Sequence, residues 1–169
     1  NLFAQGTMPE VQTLPYSQNF TGLQATATAF PVGLRGWTAS TTPSASFNTS
    51  ATPGADRQLN AGSTAATTSG NFHNYDGKIG FLNSSSLDLT IALAFSTTGQ
   101  TAVQVQYDAM TIRNPYGTTI SGNYSDRINE MVLQYRIGTS GEFTSLPLSL
   151  YENNTVSRIL AEDSPQNLK

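Results

Sequence analysis

The feature that most constrains the fold of this chain is a set of segments in which apolar and polar residues alternate with a period of two. Every second residue of the segment 87–95 is large and apolar, namely Leu87, Leu89, Ile91, Leu93 and Phe95. Successive side chains of a β-strand point to opposite faces, whereas those of a helix repeat every 3.6 residues. The segment therefore predicts a strand with one face in the core and the other turned away from it.

The next segment along the chain shows the same alternation. Its inner residues are Val103, Val105 and Tyr107, and its outer residues are Gln104, Gln106 and Asp108. A turn at Thr98-Gly99 precedes it. Because two alternating runs joined by a short turn usually form a hairpin, this strand is expected to pair with the strand at 87–95.

The longest alternating segment covers residues 128–137. Its inner residues are Met131, Leu133, Tyr135 and Ile137, and its outer residues are Glu130, Val132, Gln134 and Arg136. Residues 138–141 begin and end with glycine and predict a tight turn, followed by a strand at 143–148. These segments together predict a second hairpin.

The patterns indicate an all-β protein. No segment combines a helical period with an N-cap, and only 11% of the residues are charged. Several strands separated by turns and long polar loops are typical of an antiparallel two-sheet β-sandwich, and at this size we expect one of jelly-roll type. We expect a single domain over residues 1–169, with long Ser/Thr/Gly-rich loops at 38–71 that Phe47 and Leu59 anchor.

Composition excludes several classes of function. Eight Lys and Arg against eleven Asp and Glu, a net charge of −3, do not form the basic surface that nucleic acid requires. No apolar run reaches about 18 residues, so no membrane insertion is expected. The absence of cysteine and the single histidine exclude disulfides, thiolate metal sites and sites built from several histidines.

Several short motifs carry a resemblance to a known family. Residues 14–23 read LPYSQNFTGL, 30–37 FPVGLRGW, 56–59 DRQL and 77–81 GKIGF, and SDR at 125–127 precedes MVLQY at 131–135. In this order the motifs resemble a jelly-roll-like β-sandwich module of large bacterial secreted proteins, including those with type IX or PEP-CTERM sorting domains. The resemblance implies an extracellular accessory module of the kind that lies beside nucleases, glycoside hydrolases and adhesins.

The chain departs from that family pattern in three places. Thr21 stands where the family usually has Asp, and residues 108–113 replace a Glu-Gln-Trp-Arg stretch. Family members also continue past the position of Leu160 into Asp-rich final strands. By this resemblance we expect a further segment or a second polypeptide to complete the sandwich. Because Asn1 is not an initiator Met, we also expect a targeting segment to have been removed.

Glycan binding is the most specific activity that the residues suggest. Sugars are bound by aromatic faces and by planar amide, carboxylate or guanidinium groups that bond to their hydroxyls. The predicted outer sheet face carries such groups, and two tyrosines lie on adjoining turns. The predicted ligand-binding residues are Gln104, Gln106, Asp108, Tyr116, Tyr124, Glu130, Gln134 and Arg136. The alternative is an ordinary solvated face, since one side of an antiparallel sheet normally meets water.

A structural Ca²⁺ would suit such a module, because calcium takes six to eight oxygen ligands from carboxylates, amides and carbonyls. The predicted ligands are Asn19, Asn74 and Asp76, although the chain has no EF-hand spacing. We interpret His73 as a polar loop residue and Trp37 as a core residue rather than a stacking platform.

We therefore expect a non-catalytic accessory module, extracellular or on the cell surface, that binds polysaccharide or glycan. One alternative is a structural or adhesive module that packs against a neighbouring domain. Another is a hydrolase that uses Asp108 and Glu130 as paired carboxylates. No catalytic motif surrounds either residue, so no enzymatic activity is expected.

Overall fold

The structure, a computed structural model, describes residues 6–39, 53–84, 87–113, 129–153 and 166–168. The strands are β1 (Leu34–Ala39), β2 (Pro53–Arg57), β3 (Leu59–Asn60), β4 (Asn71–Asn74), β5 (Ile79–Leu82), β6 (Leu89–Leu93), β7 (Tyr107–Ala109), β8 (Glu130–Met131), β9 (Gln134–Tyr135), β10 (Thr144–Ser145), β11 (Tyr151–Glu152) and β12 (Gln166–Leu168). The one helical element in these ranges is a 3₁₀ turn, Pro147–Ser149. The expectation of an all-β chain is confirmed.

The chain divides into two compact units. The first unit comprises residues 1–101 and 136–143, and the second comprises residues 102–135 and 144–169. Their combination into the single predicted domain stays a prediction. No helix in the described part of the chain is long and apolar enough to cross a membrane.

The first unit contains two three-stranded sheets, in the orders β2-β1-β6 and β3-β4-β5. All of their ladders are antiparallel except that between β3 and β4, which run parallel. In the first sheet Gly36 lies opposite both Arg57 and Ile91, and Trp37 lies opposite both Asp56 and Thr90. Because adjacent residues of a strand point to opposite faces, this register separates the sheet's residues into a Gly36 face and a Trp37 face.

The Gly36 face is turned to the core, which is centred on Phe72 of β4. Phe72 is 0% exposed and packs edge-on against the rings of Phe30 and Phe81, with 5.2 Å between centroids in each pair. Buried Leu23 and Leu59 complete the cluster, and Leu89 and Ile91 pack against it, as the alternation predicted. A Cβ at Gly36 would lie only 2.5 Å from the Phe30 ring and 2.8 Å from that of Phe72, so the packing requires glycine there.

The Trp37 face is covered by the segment that begins at Gly6. Trp37 is buried, as predicted, and its Nε1 donates to the Thr7 carbonyl at 3.0 Å. The Thr7 amide and hydroxyl both donate to the Asp56 carboxylate, at 2.7 and 2.5 Å. Asp56 therefore connects this segment to β2 by hydrogen bonds.

The predicted pairing of the strand at 87–95 with residues 103–107 is wrong. β6 pairs with β1, and β7 pairs with β12. Near the end of β6, Gln12 lies beside Phe95 in a parallel bridge. The Gln12 amide donates to Ala94, and the Gln12 carbonyl accepts from Ser96, both at 2.9 Å. The N-terminal segment thus occupies backbone groups of Ala94 and Ser96, just beyond the end of β6.

The second unit includes the antiparallel pairs β8-β11 and β9-β10, and the latter confirms the predicted hairpin. From Met131↔Tyr151 to Gln134↔Ser145, one side advances three positions and the other six. The 3₁₀ turn takes up the additional residues. Its buried Ser149 fills the gap, since the Ser149 Oγ accepts from the Leu133 amide at 2.9 Å and donates to the Leu146 carbonyl at 2.6 Å.

Because the ladder changes register between β8 and β9, part of the predicted assignment of inner and outer faces in residues 128–137 is wrong. Tyr135 and Ile137, predicted to be inside, are exposed, and the exposed fraction of Ile137 is 92%. Gln134 and Arg136, predicted to be outside, are half-buried. A strict period of two requires an unbroken ladder, and the ladder changes register between β8 and β9.

Replacing Phe72 by alanine tests the core of the first unit. The change removes the ring that contacts both Phe30 and Phe81 and leaves a cavity, so we expect the free energy of unfolding to fall by about 3–5 kcal/mol. The control is Ile137→Ala, which removes apolar atoms at an exposed position and should change it by less than about 0.5 kcal/mol. Urea unfolding measures both, and equal losses would contradict the placement of the core at Phe72.

Candidate functional site

Three of the predicted ligand-binding residues lie on or just before β7 and face solvent. Gln104, Gln106 and Asp108 are exposed. Between the last two, Tyr107 is half-buried, and its hydroxyl donates to the Ser149 carbonyl at 2.5 Å. Burial raises the pKa of this phenol above its ordinary value. The polar row of β7 is therefore outward, as the alternation predicted.

The other five predicted residues do not join this row within the described part of the chain. Glu130 is exposed on β8, opposite Glu152. The side-chain Nε2 of Gln134 donates to the Ser145 hydroxyl at 3.0 Å. Tyr116 and Tyr124 lie outside the described residues. No ladder between described residues connects β7 with β8 or β9, so the assembled eight-residue face stays a prediction.

Arg136 has a packing role in the first unit. Its guanidinium carbon lies 4.6 Å from the centroid of the Phe143 ring, a cation–π arrangement. Its two terminal nitrogens contact the Gly141 carbonyl at 3.3 Å and the Met8 sulfur at 3.6 Å. These contacts hold the guanidinium against the 136–143 segment.

The predicted calcium ligands have hydrogen-bonding roles in the structure. Asn74 is 1% exposed, and its Nδ2 donates to the carbonyls of Gln24 and Ala27, at 2.7 and 3.0 Å. Its Oδ1 accepts from the Asp76 amide at 3.0 Å. The Asn19 Oδ1 accepts from the amide and hydroxyl of Thr21. Among the described residues no three His, Cys, Asp or Glu side chains are grouped for a metal, and the calcium site stays a prediction.

Asp76 lies in the turn that joins β4 to β5. Asp76 and Gly77 both have positive φ, 53° and 89°, and the Tyr75 amide donates to the Lys78 carbonyl at 3.0 Å. This is a type I′ hairpin, for which Asp-Gly is the strongest short-range sequence signal. The Asp76-Gly77 dipeptide is the sequence signal for this turn, a role separate from the predicted calcium site.

His73 lies on β4 and is 1% exposed, so its interpretation as a loop residue is wrong. Its Nε2 lies 2.7 Å from the Ser69 carbonyl, and its Nδ1 lies 2.8 Å from the Ser63 hydroxyl. A serine beside a histidine suggests a nucleophile and a base. However, the Ser63 amide donates to the Asn74 carbonyl at 3.2 Å, so it is not available to stabilise an oxyanion at that serine. The arrangement ties the 60–70 loop to β4.

The first unit also contains a wide polar groove that the sequence did not predict. β2 ends at Arg57 and β3 begins at Leu59, so Gln58 alone separates a strand of one sheet from a strand of the other. The groove follows this crossing segment and is completed by Thr28 and Asn71. Because the composition of residues 38–71 predicted loops, no site was expected here.

This groove is named here the crossing groove. Two asparagines that line it form an amide pair. The Asn71 Nδ2 donates to the Asn60 Oδ1 at 2.9 Å. The Asn71 Oδ1 is buried and has no hydrogen-bond donor among the described residues. Most buried polar atoms in proteins are hydrogen-bonded, so this oxygen is an exception among the described residues.

Comparison with known proteins gave no match to a protein-family model, to a curated protein or to a solved structure. Any function assigned to the chain must therefore come from its own residues.

Two asparagines that were predicted as calcium ligands provide a matched test. Asn74→Ala removes three hydrogen bonds at a buried position, so we expect the free energy of unfolding to fall by about 1–3 kcal/mol. Asn19→Ala removes bonds at an exposed turn, and a loss below about 1 kcal/mol is expected. Thermal melts are then repeated with Ca²⁺. A rise in melting temperature that both variants abolish would confirm the predicted calcium site, and no rise in the parent chain would contradict it.

Proposed function

We propose that the protein is a non-catalytic, secreted accessory module that binds polysaccharide or glycan, and that the crossing groove is its binding site. The observation that carries the proposal is the Asn60–Asn71 pair with its unpaired Oδ1. Arg57 and Gln58 contribute a guanidinium and a further amide to the same groove. An amide both donates and accepts, and a guanidinium donates from several nitrogens, which suits the adjacent hydroxyls of a sugar.

The energetics of the unpaired oxygen support a ligand that brings hydroxyl groups. A buried polar atom without a partner costs about 1–3 kcal/mol. A sugar hydroxyl that reached the Asn71 Oδ1, through a shift of this side chain that exposes the buried oxygen, would remove that cost. An apolar ligand would leave the oxygen unpaired. The groove chemistry therefore favours a polyhydroxylated ligand.

The architecture that we propose for this module is a two-sheet β-sandwich of jelly-roll type. It is supported by the first unit, where Leu89 and Ile91 of β6 pack against the cluster that contains Phe72 of β4. Residues from two sheets therefore share one core. The composition supports a secreted location, since the chain is poor in charged residues and rich in Ser and Thr. The polar row of β7, with Gln106 and Asp108 exposed, is the alternative site for the same activity.

A structural or adhesive role is a second candidate, favoured by an exposed apolar patch in the second unit. Leu146, Leu148 and Leu150 flank or lie within the 3₁₀ turn and are 40%, 93% and 41% exposed. Tyr135 on the neighbouring strand β9 is also exposed. Exposed apolar groups that adjoin one another often mark contacts with another protein. This candidate predicts that a partner domain protects the patch and that no glycan is retained.

Two exposed glutamines separate the possible binding surfaces. We expect Gln58→Ala to weaken binding by roughly two- to tenfold, the effect of one lost hydrogen bond, because Gln58 lines the crossing groove. Gln106→Ala on β7 is expected to bind as the parent does. The measurement is depletion of the protein onto a panel of insoluble polysaccharides, followed by isothermal titration with soluble fragments.

The opposite pattern, loss in Gln106→Ala alone, would place the site on the β7 row and overturn the groove assignment. Retention on no glycan of the panel would overturn glycan binding as a whole and favour the structural role. Release of reducing sugar, abolished by Glu130→Gln, would contradict the non-catalytic assignment. Melting temperatures of both glutamine variants verify that the fold is intact.

A further inference from the structure

We infer that the crossing groove selects acidic glycans, and that the Arg57 guanidinium binds the carboxylate of a uronate residue. The inference rests on the proposed function, since it names the class of sugar that the same groove takes. Three observations carry it: the position of Arg57, the bonding of the neighbouring acid, and the neutrality of the amide side chains in the groove.

Arg57 is placed at the point where the chain leaves the sheet β2-β1-β6. It is the last residue of β2, lies on the Gly36 face of an edge strand, and is exposed. Its partner across the ladder, Gly36, has no side chain that could cover it. Arg57 also lines the groove, and none of the described residues is bonded to its guanidinium.

The acid nearest to Arg57 in the sequence is Asp56, which is hydrogen-bonded to another residue. Asp56 lies opposite Trp37, so its side chain is on the other face of β2 from that of Arg57. Both of its carboxylate oxygens accept hydrogen bonds from Thr7. Among the described residues, Arg57 forms no ion pair. Asp56 also lines the groove, but both oxygens of its carboxylate are bonded to Thr7, whereas the Arg57 guanidinium has no partner among the described residues.

The remaining polar side chains that carry amides in the groove are neutral. Gln58, Asn60 and Asn71 offer donors and acceptors to hydroxyls, but none supplies charge. A guanidinium forms two parallel, charge-assisted hydrogen bonds to a carboxylate, and these are roughly twice as strong as bonds between neutral groups. A uronate matches this combination, because it carries one carboxylate on a ring whose other substituents are hydroxyls.

The charge of the whole chain makes the inference testable. The net charge of −3 gives no general attraction to a polyanion. Retention of a polyuronate would therefore report a local cation rather than the average surface. A neutral ester of the same polymer keeps the hydroxyls and ring geometry and removes only the charge, so the pair isolates the contribution of the carboxylate.

The experiment measures the dissociation constants of the 169-residue chain for polygalacturonate and alginate, each as the free acid and as its methyl ester. The parent is expected to bind at least one free acid about tenfold or more tightly than its ester. Arg57→Gln should abolish this preference, because it weakens binding of the free acid far more than binding of the ester. Arg57→Lys, which keeps the charge and loses the two-pronged geometry, should retain only part of it. The control is Arg35→Gln, an exposed arginine of β1 on the Trp37 face, which should behave as the parent.

Each other result overturns the inference in a distinct way. Equal binding of acid and ester, with both weakened by Gln58→Ala, would leave the proposed function standing and remove the acid specificity. A preference that persists in Arg57→Gln, or is lost in Arg35→Gln, would assign the carboxylate to another cation. Binding of neither acid, together with retention on a neutral glycan, would show that the groove takes neutral sugars. Binding to no glycan would remove both proposals together.

Discussion

The packing of Phe72 is the interaction on which the rest of the first unit depends. The ring belongs to β4, but its neighbours come from five other parts of the chain: the 20–30 segment, β1, β3, β5 and β6. β3 has only two residues, and it remains paired because Leu59 inserts into this cluster while the Leu59 amide donates to Thr28 at 3.0 Å. The crossing from β2 to β3, and therefore the groove along it, is a consequence of burying Leu59 beside Phe72.

The parts of the fold that could be predicted from the sequence are those in which one residue in two is apolar. The segment 87–95 contains β6, with Leu89 and Ile91 packed against the core, and the hairpin across residues 138–141 is present. β2 and β3 lie in a Ser/Thr/Gly-rich stretch; β3 buries Leu59 alone and residues 55–57 of β2 are exposed, so neither strand has a period to detect. Their ladders pair them with distant strands, β1 and β4, that carry Trp37 and Phe72.

Register was the second property that alternation did not reveal. The ladder between residues 129–135 and 144–153 accommodates a 3₁₀ turn on one side only, and this reverses the expected exposure of Tyr135 and Gln134. The serine that fills the gap, Ser149, is an ordinary polar residue in the sequence. Its importance comes from the two hydrogen bonds of its side chain, to Leu133 and Leu146, and neither partner can be inferred from a period of two.

The candidate site shows the same limit for polar residues. Asn71 and Asn74 are two of many asparagines in this chain, three positions apart on one strand. Both Nδ2 hydrogens and one Oδ1 lone pair of Asn74 are bonded to backbone groups of Gln24, Ala27 and Asp76, so this side chain builds the fold. Asn71 donates to Asn60, and its own oxygen is left without a donor among the described residues. The difference lies in the partners and not in the residue type. For this reason the sequence predicts a binding site on the sheet face around β7, whereas the hydrogen bonds of the structure favour the crossing groove.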